Sequence, residues 1–417
     1  MAKNKDKNKK VQKKIKSLYS QDKNIYSISK INLYHNCQYA YYLSYINKED
    51  RVQNIYSYAG GYIHDILEKI YDNDLKYDIT NIKKDFEDMI LECELLGYKF
   101  PTEQIRKNWI SDMTHFVSNY KKLDMDVLMT EEQILMNIDN IWFQGFIDII
   151  KQNENSIDIL DWKTSSKFSG KDKLRDAGRQ LLLYKLAKEK QGFKVDRVGW
   201  FMTKYLNVTY TLKNGKQVTR MLNRGKWVSD FQKALTSIMD QADYKYALEN
   251  LSCSSEHIDK VKDILLEFMK EKKVDKLLEK GDWGKIITKI KKEKLYDIEL
   301  NNILEECGYC PVAIELDIDE CILNKSIDTL PNRVKDLIKI EDCIIWYDHT
   351  EQDVQEAINY VKKSVQEIES KDTNNVFDWD FVGLDDNNFF CNYLCGQRTK
   401  CDYNLNNDSE EDNGLPF

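Results

Sequence analysis

Two short segments fix most of what this chain can become. Residues 141–150 (IWFQGFIDII) and 157–163 (IDILDWK) are rich in aromatic and β-branched residues with a two-residue repeat, which predicts two strands. The connection 152–156 (QNENS) has hairpin chemistry, so the strands are expected to be antiparallel neighbours. Side chains alternate across a strand. Asp161 and Lys163 therefore share a face while Trp162 points away, and Asp148 can reach the same cavity from the adjacent strand. A helix over about 172–190 follows, and Gln180 and Tyr184, four residues apart, project from one side of it.

That set of groups suits metal-dependent phosphodiester hydrolysis. Two carboxylates, Asp148 and Asp161, with the carbonyl of Trp162, offer oxygen ligands to Mg²⁺ or Mn²⁺. Such an ion lowers the pKa of water and offsets charge building on a phosphate. Lys163 is expected to position the attacking water or stabilise the phosphate, and Gln180 and Tyr184 to orient the strand or the metal ligands. An isolated Asp-x-Lys pair is usually an ordinary solvent-facing hairpin; the ordered series GFID148, LDWK163T and QLLLY184 is not.

These motifs resemble those of the RecB-type branch of the PD-(D/E)XK nucleases, which includes the nuclease domains of RecB and AddB and the CRISPR-adaptation nucleases. The resemblance covers roughly residues 27–210 and the last 50 residues, and implies an α/β fold: a central mixed sheet flanked by helices, here with a helical inserted lobe. In that branch a histidine on an upstream helix precedes the metal-binding Asp. The segment 60–70 (GGYIHDILEKI) supplies His64, at the margin of a helical stripe of Ile63, Ile66, Leu67 and Ile70, and the resemblance makes it a metal ligand.

Of ten cysteines, four stand out: Cys37 near one end, and Cys391, Cys395 and Cys401 near the other. One early and three late cysteines are similar to the iron–sulfur variants of the same branch, where four thiolates hold a [4Fe–4S] cluster that ties the termini together. The spacing departs from the common pattern, with three residues between Cys391 and Cys395 instead of two; Zn²⁺ on four thiolates is the competing reading. Cys307 and Cys310 form a lone CxxC, read as structural.

The formal charge of −8 gives no nucleic-acid footprint by itself. Positive charge must then be concentrated at the cleft, where Lys167, Lys171, Arg175 and Arg179 are the expected DNA contacts. Residues 1–24, with eight lysines in the first 16 positions, are expected as a basic disordered arm. The nuclease core is placed at 25–225, a mainly helical inserted lobe at 226–345, a C-terminal helix with the cysteine cluster at 346–403, and an acidic tail at 404–417. Within the lobe, 311–347 reads as short strands and turns, and Trp283 with 285–294 as a basic amphipathic stretch. No signal peptide and no apolar run of membrane length is evident, so a cytoplasmic location is expected. The Lys-, Asn- and Ile-rich composition suggests an AT-rich source, a phage or low-GC bacterium.

The absence of a Gly-x4-Gly-Lys-[Ser/Thr] loop excludes an ATP-driven helicase in this chain. No sequence-reading motif is found either, so DNA recognised by backbone and strandedness is the expected substrate. The expected activity is exonucleolytic, on DNA with single-stranded character. The alternatives are a structure-specific flap or branch endonuclease, and a catalytically silent DNA-binding scaffold. The tail ending in Leu415, Pro416 and Phe417 behind acidic residues reads first as a disordered solubilising tail and second as a docking peptide for replication or recombination proteins.

Overall fold

A computed structural model describes residues 2–71, 79–123, 125–168, 170–212, 214–269, 285, 297–382 and 388–403. The acidic tail and, apart from Lys285, the basic stretch around Trp283 lie outside the described residues. Among the described residues no helix is long and apolar enough to cross a membrane.

The fold is mixed α/β, built on a seven-stranded sheet. The strands are β1 (Ile25–Tyr26), β2 (Val127–Ile138), β3 (Ile141–Gln152), β4 (Ile157–Lys163), β5 (Val195–Thr211), β6 (Gln217–Asn223) and β7 (Ile338–Trp346). β2 and β3 form a hairpin through Asp139 and Asn140, both at positive φ (47° and 74°), as a tight two-residue turn requires. The order β1-β3-β4-β5-β6 is completed by β2 on β3 and β7 on β5. With β2 occupying one side of β3, its other side is shared. β1 pairs in parallel at Trp142 and Phe143, and β4 pairs antiparallel from Ile149 to Gln152. The stretch between, ending at Asp148, is where β3 and β4 part.

One compact unit comprises Met1–Tyr205 and Asp342–Phe417. In it α4 (Ile55–Tyr71), α5 (Ile79–Leu95) and α6 (Glu103–Asn119) follow α1 (Ala2–Tyr19), α2 (Ile28–Asn36) and the short α3 (Gln38–Tyr41). Ile63, Leu67, Phe86, Met113 and Phe116 of α4–α6 pack with Ile149, Leu160 and Trp162 of the sheet to form its main core. The crossover from β4 to β5, which are parallel, runs through α7 (Lys171–Lys190). The second unit, Leu206–Glu341, carries α8 (Trp227–Cys253), α9 (Ser255–Met269), α10 (Asp297–Glu306), α11 (Pro311–Asn324) and the short α12 (Asn332–Lys335). Its core includes Phe231, Leu235, Met239, Ile314 and Ile318.

Two expectations are corrected. Residues 2–19, expected as part of a disordered arm, form α1. Val11, Ile15 and Leu18 recur at helical spacing and pack with Ile25, Leu135 and Trp142, an apolar stripe hidden among the lysines. Residues 311–324, expected as strands and turns, form α11. Pro311 sits at its first turn, and Ile314, Ile318 and Cys321 are buried at intervals of four and three. The period of the buried residues is helical, and it overrides the expected strands.

An early and a late segment of the chain meet in the first unit. α13 (Glu351–Glu369) precedes residues whose Trp379 ring stacks on Tyr41 at 5.7 Å. Further on, Gln397 Nε2 donates to Ser44 Oγ at 3.1 Å, and Val52 N–H donates to the Gly396 carbonyl at 2.8 Å.

Candidate active site and metal centre

The point where β3 and β4 part is lined by the residues the motifs singled out. Asp148, buried near the end of the unpaired stretch, accepts a hydrogen bond from Trp162 N–H at 2.6 Å, which ties the two strands together across the opening. Asp161 lies next to it on β4. Its Oδ1 accepts from Gln180 Nε2 at 2.9 Å. Its Oδ2 receives no hydrogen bond of good direction and faces the Lys163 ammonium across an ion pair of 2.6 Å. Gln180 Nε2 also donates to the Tyr184 hydroxyl at 2.9 Å, so one helical amide connects the carboxylate to the phenol. The tyrosine ring lies close against the β3 backbone at Gly145. A Cβ there would stand 2.5 Å from Tyr184 Cε1, which explains why this position of the GxxD segment has no side chain. Thr203 Oγ1 donates to the Lys163 carbonyl at 3.0 Å and fixes the end of β4.

From the other direction α4 delivers His64. Its Nε2 lies 3.1 Å from the Trp162 carbonyl oxygen, and its Nδ1 lies 3.7 Å from Asp148 Oδ2 and 3.9 Å from Glu131 Oε1. The imidazole edge packs against the Trp162 indole, whose ring is in the core. Among the described residues, the one group of three or more His, Cys, Asp or Glu ligand atoms all within 4.8 Å of one another is His64, Glu131 and Asp148. Glu131 was missed in the sequence. Its only signal there is an acidic pair, Glu131 and Glu132, inside the otherwise apolar strand VLMTEEQILMNI.

Burial and the neighbouring Asp161 push the Asp148 carboxyl up to about 8; Glu131 adds to the effect, while His64 and Lys163 oppose it. Burial works against a charged His64, yet Glu131, Asp148 and Asp161 outweigh it and hold the imidazole above its usual range. Lys163 is likewise desolvated but is kept protonated above the usual lysine range by Asp161. Three carboxylates thus share a half-enclosed site with one ammonium and one imidazole. Oxygen-rich and short of positive charge, this donor set fits a hard divalent cation.

The expected DNA contacts are only loosely attached to this centre. Lys167 donates its backbone N–H to the Tyr205 hydroxyl at 3.0 Å, which anchors the loop after β4. Lys171 and Arg175 lie on the first turns of α7, where Arg175 pairs with Asp172 at 3.3 Å. Arg179 pairs with Asp176 at 2.9 Å and its guanidinium lies 4.1 Å from the centre of the Tyr360 ring. Both arginines therefore have partners on or beside their own helix.

The four singled-out cysteines come together elsewhere in the first unit. Cys37, Cys395 and Cys401 belong to one apolar cluster with Tyr39, Ala40 and Leu43. Burial pushes the Cys395 thiol up to about 12, with Cys37, Cys401 and Cys391 all close enough to add to it. Cys37 Sγ accepts from Ala40 N–H and Cys395 Sγ from Gln397 N–H, each at 3.4 Å.

A family model described as the PD-(D/E)XK nuclease superfamily matches residues 25–314 of the chain. No curated protein matches it.

Proposed function

Because this chain belongs to the PD-(D/E)XK nuclease superfamily, whose members are metal-dependent nucleases, we propose that it is a RecB-type exonuclease acting on DNA with single-stranded character. The observation that carries the reading is the convergence of Asp148, Asp161 and Lys163 where β3 and β4 part, with His64 and Gln180 closing the site on either side. Asp148, Asp161, His64 and the Trp162 carbonyl would hold Mg²⁺ or Mn²⁺, with Glu131 as a further carboxylate. The ion, when bound, supplies Lewis-acid stabilisation of charge on the phosphate and lowers the pKa of water.

The protein's own groups do the rest. Lys163 presents a cation that Asp161 keeps charged despite burial, in position to meet the phosphate oxygens or the attacking water. Gln180 holds the Asp161 carboxylate in one orientation, and Tyr184 holds Gln180. An intact Asp161–Lys163 pair argues against a silent scaffold, in which nothing would maintain a buried ion pair of this kind.

At the four cysteines we infer a [4Fe–4S] cluster. Cys37, Cys391 and Cys401 all lie close enough to bear on Cys395, and Cys37, Cys395 and Cys401 share one apolar cluster, as ligands of one shared group would. Backbone N–H donors to Cys37 and Cys395 suit thiolate ligands. Anaerobically prepared protein should carry iron, inorganic sulfide and visible charge-transfer absorbance; zinc alone would refute the assignment.

The activity is tested by comparing end-labelled linear single strands with circular ones in the presence of Mg²⁺ or Mn²⁺. Degradation of the linear form alone is expected. Equal cutting of circles would replace the exonuclease assignment with a structure-specific endonuclease.

A further inference from the structure

We propose that Asn8 is a positioning residue for the metal centre. Through two hydrogen bonds to β2 it holds Glu131 in the backbone conformation that directs its carboxylate toward His64 and Asp148. The inference rests on the metal-site reading above.

Glu131 is unusual for a strand residue. It lies inside β2, yet its φ is +45°, in the left-handed region that residues with a long side chain rarely occupy. The register places it at the site: with Thr130 opposite Ile149 and Glu132 opposite Ile147, Glu131 falls opposite Asp148. A residue held in a left-handed conformation inside a strand needs surroundings that fix it, and such strain gathers at functional sites.

Asn8 supplies the fixing. Its Nδ2 donates to the Glu131 carbonyl at 2.9 Å, and its Oδ1 accepts from Gln133 N–H at 2.9 Å. One side-chain amide therefore grips the two peptide groups on either side of Glu132, and so fixes the peptide plane that leaves the left-handed residue. α1 is itself seated by other contacts: Lys7 pairs with Glu132, Gln12 donates to Gln133 at 2.7 Å, and Ile15 and Leu18 are buried. The result is a sorting of neighbouring carboxylates. Glu132 is buried against the Lys188 ammonium at 2.8 Å, while Glu131 Oε1 stands 3.9 Å from His64 Nδ1. Without the clamp, residue 131 can relax toward extended backbone and its carboxylate leaves the site. The lysine-rich helix thus supports a carboxylate of the active centre.

The experiment compares Mn²⁺ affinity, by calorimetry or electron paramagnetic resonance, in the full chain and in Asn8→Ala, Asn8→Asp, Gln12→Ala and Glu131→Gln. Asn8→Ala is expected to weaken binding about tenfold, as loss of a ligand-orienting partner does. Asn8→Asp, which keeps the acceptor for Gln133 but loses the donor to Glu131, should reproduce the loss. Gln12→Ala, which loosens the same helix without touching residue 131, should bind as wild type does. In a Glu131→Gln background, Asn8→Ala should add nothing further. Metal-free amide exchange at Gln133 should accelerate in Asn8→Ala. Unchanged Mn²⁺ affinity in Asn8→Ala, equal losses in Asn8→Ala and Gln12→Ala, or multiplicative losses with Glu131→Gln would each overturn the proposal. If Asp148→Asn also leaves Mn²⁺ affinity intact, the metal-site reading itself fails.

Discussion

Replacing Asp148 with Asn should make the metal-free protein more stable, and only above the acid range. The carboxyl is buried, stands beside Asp161 and Glu131, and is pushed from 3.8 to about 8. A group whose pKa is raised by folding favours the fold while protonated, below about pH 4, and loses that advantage as pH rises through about 8. At about 1.4 kcal/mol per pKa unit, ionising it in the metal-free fold costs up to about 6 kcal/mol. Asn is a neutral isostere that can still accept the Trp162 N–H bond, so the substitution removes the charge and keeps the tie between β3 and β4. Urea denaturation in chelator should give similar stabilities for the two proteins near pH 4. Near pH 9, Asp148→Asn should lead by about 2 kcal/mol or more. Adding Mn²⁺ at a hundred times its dissociation constant should stabilise wild type by about 2.7 kcal/mol and leave Asp148→Asn unmoved. Equal stability across the pH range would mean that the buried charge costs the fold nothing, and equal protection of both proteins by Mn²⁺ would mean that Asp148 is not a ligand.

Proton competition at the same carboxyl predicts that the apparent Mn²⁺ dissociation constant rises as pH falls below about 8, with proton release on binding, measurable by calorimetry in buffers of different ionisation enthalpy. Lys163→Ala should lower the cleavage rate by about 10²–10³ while metal affinity is retained, since Lys163 is placed to stabilise the reacting phosphate and not to ligate; single-turnover assays and metal titration separate the two. Gly145→Ala brings a methyl to 2.5 Å from the Tyr184 ring, so the ring must move. A loss of about 1–3 kcal/mol in denaturant melts is expected, with reduced cleavage as Gln180 loses its support. Lys188→Ala leaves Glu132 buried beneath α1 with the Lys7 ammonium still near. Destabilisation of about 3 kcal/mol is expected, read by the same melts.

The catalytic strands were legible because each residue's neighbours in sequence are its neighbours in space. The period of IWFQGFIDII and IDILDWK sets the strands, and a four-residue interval sets Gln180 and Tyr184 on α7. His64 was reachable only through resemblance, since its contact with the Trp162 carbonyl joins α4 to β4 across 98 residues. Glu131 was out of reach. What distinguishes it is a backbone angle imposed by Asn8 from 123 residues away, and a local pattern carries no trace of such a contact. α1 was misread for a related reason. Three apolar residues at helical spacing are enough once a sheet surface is there to receive them, but alone they are outnumbered by lysines. In α11, expected as strands and turns, the interval of four and three residues between buried positions governed the outcome.

The proposed activity stands or falls on Asp161 and Lys163, which beside Asp148 would carry out metal-dependent phosphodiester cleavage. The most direct measurement is hydrolysis of end-labelled linear DNA with Mg²⁺ or Mn²⁺ by wild type and Asp161→Ala. Wild type should cleave only with metal, and Asp161→Ala should fall to background. Cleavage by Asp161→Ala at the wild-type rate would contradict the claim.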